Sequence, residues 1–138
     1  AGDIITDGLA DHIFEGVQSR TLPRTEWTHP AHLVFATALL SAEGLNGAEA
    51  KMPAMIRAYN ESVGGLNDDT QGYHHTITLF FLRHIDAFLK LFAVEPVGMR
   101  ATRLLASQLS ATDYPLRYYS KERLFSLEAR RNWVEPDL

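Results

Sequence analysis

The sequence contains no cysteine, which excludes disulfides, thiolate metal sites and a cysteine nucleophile. It also lacks any apolar run near the ~18 residues that a bilayer-spanning helix needs. The longest run, around Ile77 to Leu82, gives way at once to Arg83, His84 and Asp86. Basic charge is scarce: 13 Lys and Arg face 17 Asp and Glu, for a net charge of -4. Arg130-Arg131 is the single basic pair that stands out, so no surface suited to a phosphate backbone is expected, and neither nucleic acid nor membrane is an expected partner. Strand-like alternation, repeats, low-complexity tracts and linkers are missing as well. Residues 1–20 show no basic segment followed by an apolar one, which makes the cytoplasm the expected location.

What is present is apolar material at helical spacing. Of the 138 residues, 46% are hydrophobic, enough to fill the core of one domain, so residues 1–138 are expected to form a single-domain, all-α bundle of five or six helices. Ile4, Leu9, Ile13 and Val17 predict a first helix from Asp3 to Ser19. Thr28 can cap a second, with Pro30 in the first turn where its missing N–H is harmless, running to Ser41 through an almost continuously apolar body. A turn at Glu43 to Gly47 precedes a third helix, Ala48 to Ser62, whose start Pro53 could shift to Met52. Gly64 to Gly72 is a long polar loop that echoes half of a calcium loop. Thr78 at the twelfth position cannot supply the required bidentate carboxylate, so a flexible connection or lid is the better expectation. The fourth helix, Tyr73 to Phe92, carries an inward stripe of Ile77, Phe81, His84, Ile85, Phe88 and Phe92, with His74 projected onto the same face. A fifth follows from Val97 to Ser110, with Met99, Leu104, Leu105 and Leu109 as its stripe. Ser120 and Ser126 can cap two short pieces, Lys121 to Phe125 and Leu127 to Trp133.

Histidine is the residue whose placement asks for an explanation. His29 and His32 open the second helix, and His74 and His75 open the fourth, so four of the six histidines sit at two helix starts. His12 is expected to be solvated, and His84 to be a core residue bonded to a neighbour. If short connections alternate the helix directions, helices two, four and six start at one end of the bundle. That end would gather Trp27, His29, His32, Tyr73, His74, His75, Tyr118, Tyr119, Ser120 and Glu122 beneath the 64–72 loop. Helix N-termini disfavour cations, so imidazoles there should be neutral near pH 7, the form that ligates metal or accepts a proton.

Two chemistries fit such a cluster. In the first, His29, His32 and His74 hold a divalent Zn, Fe, Ni or Cu ion that activates water or polarises a carbonyl of a small-molecule substrate, with Tyr73, His75, Tyr118 and Tyr119 as catalytic candidates. In the second, no metal is involved and the histidines orient a small ligand in a pocket lined by His, Tyr and Trp. A purely structural polar cluster is the bland alternative, because a histidine at a wet helix end commonly just bonds backbone.

The segments Trp27-Thr28-His29-Pro30-Ala31-His32, Gly72-Tyr73-His74-His75-Thr76-Ile77-Thr78 and Tyr118-Tyr119-Ser120 with Leu124-Phe125-Ser126 resemble a set found together in small uncharacterised bacterial all-helical proteins. The resemblance spans residues 26–138 and implies that these segments share one region; it brings no activity with it. More loosely, three histidines on a small bundle resemble the DinB-like metal-dependent helical-bundle enzymes, and no further motif of that family is present.

Overall fold

The computed structural model describes residues 4–138, which form one domain of six α-helices without a strand among the described residues. The helices are α1 (Asp7–Gln18), α2 (His29–Ser62), α3 (His75–Leu89), α4 (Val97–Leu105), α5 (Lys121–Leu124) and α6 (Leu127–Arg131), joined in part by short 3-10 turns. Among the described residues no helix is long and apolar enough to cross a membrane.

α2 is the central element and packs against α1, α3 and α4, while α6 packs against α3. The expected turn between helices two and three shrinks to one residue: Gly44, at φ 74° and ψ 175°, is the sole non-helical position in α2. A side chain would be strained at that φ, so glycine lets the chain bend and resume its helix without a loop. The result is two arms, 29–43 and 45–62. Pro53 does not set a helix start, because the second arm runs through it. The helical bond its ring removes is the one to the Glu49 carbonyl, and burial of Met52 and Ile56 on either side holds the backbone in register.

The other helices are shorter than their apolar patterns predict, and side-chain caps mark several of their starts. α1 begins at Asp7 because the Thr6 hydroxyl accepts from the Leu9 N–H; Asp3, its expected start, lies outside the described residues. α3 begins after Tyr73, since the His74 ring accepts from the Ile77 N–H. It ends at Leu89, and a 3-10 turn carries the chain to Phe92. α4 stops at Leu105, and Ser107 starts a separate 3-10 turn, Gln108–Ser110. Ser120 and Ser126 cap α5 and α6 as expected.

The buried face of α3 is rotated from the predicted one. Thr76, Leu79, Phe80, Leu82, Ile85 and Leu89 are buried, whereas Ile77, Phe81, His84 and Phe88 are half-buried. Both faces are apolar, so the periodicity alone does not choose between them; packing against α2, α6 and the C-terminal segment does. Fully buried side chains such as Phe35, Leu82 and Ile85 each stabilise the fold by roughly 1.5–3 kcal/mol relative to exposure. Met99 and Ile4, assigned to stripes from sequence, are exposed.

Two buried tyrosines lock distant segments. The Tyr59 hydroxyl donates to the Leu22 carbonyl at 2.7 Å, and the Tyr119 hydroxyl donates to the Val134 carbonyl at 2.7 Å. The 64–72 loop is laced to the second arm of α2 by Asn67, which accepts from Asn60 and the Tyr73 N–H and donates to the Arg57 carbonyl. Gly72, at φ 79°, is required in that loop, because a Cβ there would lie 2.1 Å from the Leu66 carbonyl oxygen.

Candidate functional site

Between the two arms of α2 and the first three turns of α3 lies a cavity of about 230 Å3. Leu33 and Ala36 come from the first arm, Met52 and Ile56 from the second, and Ile77, Phe81, Leu82 and Ile85 from α3. Half-buried Ile77 and Phe81 thus share the cavity wall with the buried Leu82 and Ile85, which is why these two residues of the predicted stripe are apolar without being fully covered. Three polar side chains join this lining: His29, His32 and Thr78. The Thr78 hydroxyl donates to the His74 carbonyl at 2.8 Å, so the two imidazoles supply the cavity's main free chemistry.

Local structure sets the state of each ring. Thr28 caps α2 by accepting from the Ala31 N–H, and its carbonyl lies 2.7 Å from His32 Nδ1. A carbonyl can only accept, so Nδ1 carries the proton and Nε2 is left with a lone pair. The ring is clamped by stacking on Trp27, with centroids 3.7 Å apart and planes at 27°. His29 Nε2 lies 3.0 Å from the Ser110 carbonyl and must donate to it, which leaves Nδ1 as the acceptor. Phe81 meets the His29 ring edge-on at 5.8 Å. Burial pushes the His32 imidazole down to about 4, against the opposing pull of its bond to Thr28, and the nearby His29 depresses it further. Burial lowers His29 as well. Near pH 7 the cavity therefore presents two neutral imidazoles, each with one nitrogen pinned to backbone and one able to accept a hydrogen bond, take a proton or bind a metal.

The other histidine pair is used differently. His74 is buried; its Nδ1 accepts from the Ile77 N–H at 3.1 Å, and its Nε2 donates to the Leu124 carbonyl at 2.8 Å. Both nitrogens are spent on backbone, so in this geometry the ring is a cap and a strut, and it offers no lone pair to join His29 and His32. Among the described residues no three His, Asp or Glu side chains converge as a metal-binding group. Of the catalytic candidates, Tyr73 and His75 bond to each other, with the Tyr73 hydroxyl 2.8 Å from His75 Nδ1, and burial pushes the Tyr73 phenol up to about 12. Tyr118 lies 3.3 Å from the Tyr114 hydroxyl, which is 3.2 Å from His84 Nδ1. Tyr119 is sealed in the core on Val134. The cavity lining includes none of these four. His84 is bonded to a neighbour as expected, although half-buried, and exposed His12 meets the Glu26 carboxylate at 2.8 Å.

A second, polar chamber of about 370 Å3 adjoins the first through His32, which lines both. Its walls are Arg24, Trp27, Asn60 and Val63, together with Gly65, Leu66, Gln71 and Gly72 of the long loop. Arg24 was missed from sequence because a lone arginine in a connecting segment carries no periodicity or spacing signal. Asn60 was hidden for a similar reason, as a polar residue at the end of an amphipathic helix. No family model matches the chain, and no curated protein or solved structure matches it either.

Proposed function

We propose that this protein binds a small, largely apolar molecule between the arms of α2 and α3, with the polar end of that molecule at His29 and His32. The observation that carries this reading is the pairing of an otherwise apolar cavity with two neutral imidazoles whose backbone bonds orient them. Ligand sites typically combine apolar walls with a few placed polar groups. A dry cavity of ~150 Å3 accepts a benzene-sized guest, so about 230 Å3 suits a single ring with a short substituent. A hydroxyl on that guest would donate to one of the free nitrogens.

Calorimetric titration with phenol and benzyl alcohol tests the reading. Binding is expected in the wild type and should be lost in Ile77→Trp, which fills the cavity from its half-buried wall. A protein that binds neither probe, or an Ile77→Trp variant that binds both as before, would sink the proposal.

The same two lone pairs favour a second reading, in which His29 and His32 hold a divalent Zn, Fe, Ni or Cu ion and the substrate completes its coordination. A metal-dependent rise in melting temperature that disappears in His29→Ala and survives in His74→Gln would support it. No rise with any of the four ions leaves the metal-free pocket.

A further inference from the structure

The polar side chains that line the apolar cavity, His29, His32 and Thr78, each have one hydrogen to donate when the imidazoles are neutral. All three hydrogens go to backbone carbonyls: His29 Nε2–H to Ser110 at 3.0 Å, His32 Nδ1–H to Thr28 at 2.7 Å, and the Thr78 hydroxyl to His74 at 2.8 Å. What these side chains can still offer a guest is lone pairs. A guest cannot reverse this by exchanging a tautomer, because the carbonyl behind each ring can only accept and would then face a second lone pair. Proton uptake is opposed as well, since burial holds both imidazoles below their ordinary range. Among the described residues no Asp, Glu, Lys or Arg lines the cavity. Such a wall selects by hydrogen-bond sense and by charge. A carboxylate, ketone or ether brings acceptors to acceptors. An ammonium brings donors, but its charge must leave water with no carboxylate to meet it. Placement adds a further condition. The two imidazoles stand three residues apart on the first turn of α2 and are neighbours on one helix face, so a ring-sized guest that satisfies both must carry its donors on one edge.

We infer that the ligand is an uncharged single ring bearing two adjacent hydroxyls, a catechol or a vicinal ring diol, with one hydroxyl donating to His29 Nδ1 and the other to His32 Nε2. The inference rests on the small-molecule reading above and assigns the ligand's chemical class. A guest with one donor leaves an imidazole lone pair unmatched in an otherwise apolar cavity, and a guest with none leaves both. That is how a site built to bond a hydroxyl rejects the analogue without it.

The test is calorimetric titration of the full chain with catechol, hydroquinone, anisole and benzoate, in EDTA so that catechol meets no stray metal. Catechol and hydroquinone are isomers with the same donors, on one edge of the ring and on opposite edges; anisole is the isomer of benzyl alcohol that has no donor. The wild type should bind catechol about tenfold more tightly than hydroquinone, the return on one further hydrogen bond, and should bind anisole and benzoate more weakly than either. His29→Phe, which keeps a flat ring against Phe81 and removes the nitrogens, should erase catechol's advantage and leave hydroquinone's affinity unchanged. Equal affinities for catechol and hydroquinone in the wild type would overturn the inference whether or not the variant folds. So would anisole or benzoate binding as tightly as catechol, or an advantage that survives His29→Phe. If phenol and benzyl alcohol bind while catechol gains nothing over hydroquinone, the two-donor assignment fails alone. If none of these compounds binds, the small-molecule reading fails with it.

Discussion

The two histidine-bearing helix starts use one sequence device to opposite ends. At the start of α2, Thr28 caps the helix with its hydroxyl, so the imidazoles of His29 and His32 each need only one backbone bond and keep one nitrogen free. At the start of α3 no Ser, Thr, Asp or Asn occupies the capping position. His74 does, and it spends its second nitrogen on the Leu124 carbonyl across the fold. Thr76, the second residue of α3, is also committed to the C-terminal segment: its hydroxyl donates to the Asn132 carbonyl and accepts from the Val134 N–H. One start is left available for chemistry, and the other is consumed in holding the last fifteen or so residues of the chain in place. The choice of capping residue decides which is which.

The comparison can be broken most directly at His74. His74→Ala removes a cap worth ~1 kcal/mol and strands the buried Leu124 carbonyl at a cost of roughly 1–3 kcal/mol, so a stability loss of about 2–4 kcal/mol is expected from urea unfolding. Affinity for benzyl alcohol should not change in the folded fraction. His32→Ala should do the reverse: a loss of tenfold or more in affinity, about 1.4 kcal/mol, with a stability change below ~1 kcal/mol. Were His74→Ala to abolish binding and leave stability intact, the division of labour would be wrong.

Titration sharpens the same contrast. Burial lowers His29, His32 and His74 in the folded protein, so the unfolded chain binds more protons and stability must rise with pH across the intervening window. For His32 that window runs from the ordinary 6.5 down to about 4: its contribution is fully present above 6.5 and is lost as pH falls toward 4. Urea midpoints should therefore drop between pH 7 and pH 4.5, and His32→Gln should flatten the drop. An unchanged slope in that variant would mean that His32 is charged or solvated in the folded state.

The smallest expected effect concerns the bend that separates the two arms. Gly44→Ala meets no atom within 4 Å, so its cost is backbone strain at φ 74°, about 1 kcal/mol. Because the bend sets how the arms face α3, benzyl alcohol affinity should fall with it, whereas the His74 strut should keep its protection against amide hydrogen exchange at Ile77. Loss of that protection would show the two helix starts to be coupled.

Much of this arrangement is legible from residue types alone. The helical class, the Thr28, Ser120 and Ser126 caps, and the clustering of histidines at two helix starts all follow from side-chain chemistry within a few residues of one another. His29 and His32 stand out as site residues because a three-residue spacing places them on one helical turn, a relation that needs no tertiary information. Which apolar face of α3 is fully buried is not legible, since both faces have the same period and similar hydrophobicity. Nor was the fate of His74, whose ring could cap, ligate or bond elsewhere with equal local plausibility.

Local sequence thus determined which segments are helical, where several of them are capped, and which imidazoles could be neutral, because these depend on spacing, backbone donors and nearby charge. Tertiary structure alone decided that His74 is spent on Leu124, that Tyr119 is buried on Val134, and that Arg24 and Trp27 share a chamber with His32. Those outcomes depend on which hydrogen-bond partner reaches each group first in space, and residues fifty positions apart in the chain, such as His74 and Leu124, become neighbours only once the helices have packed.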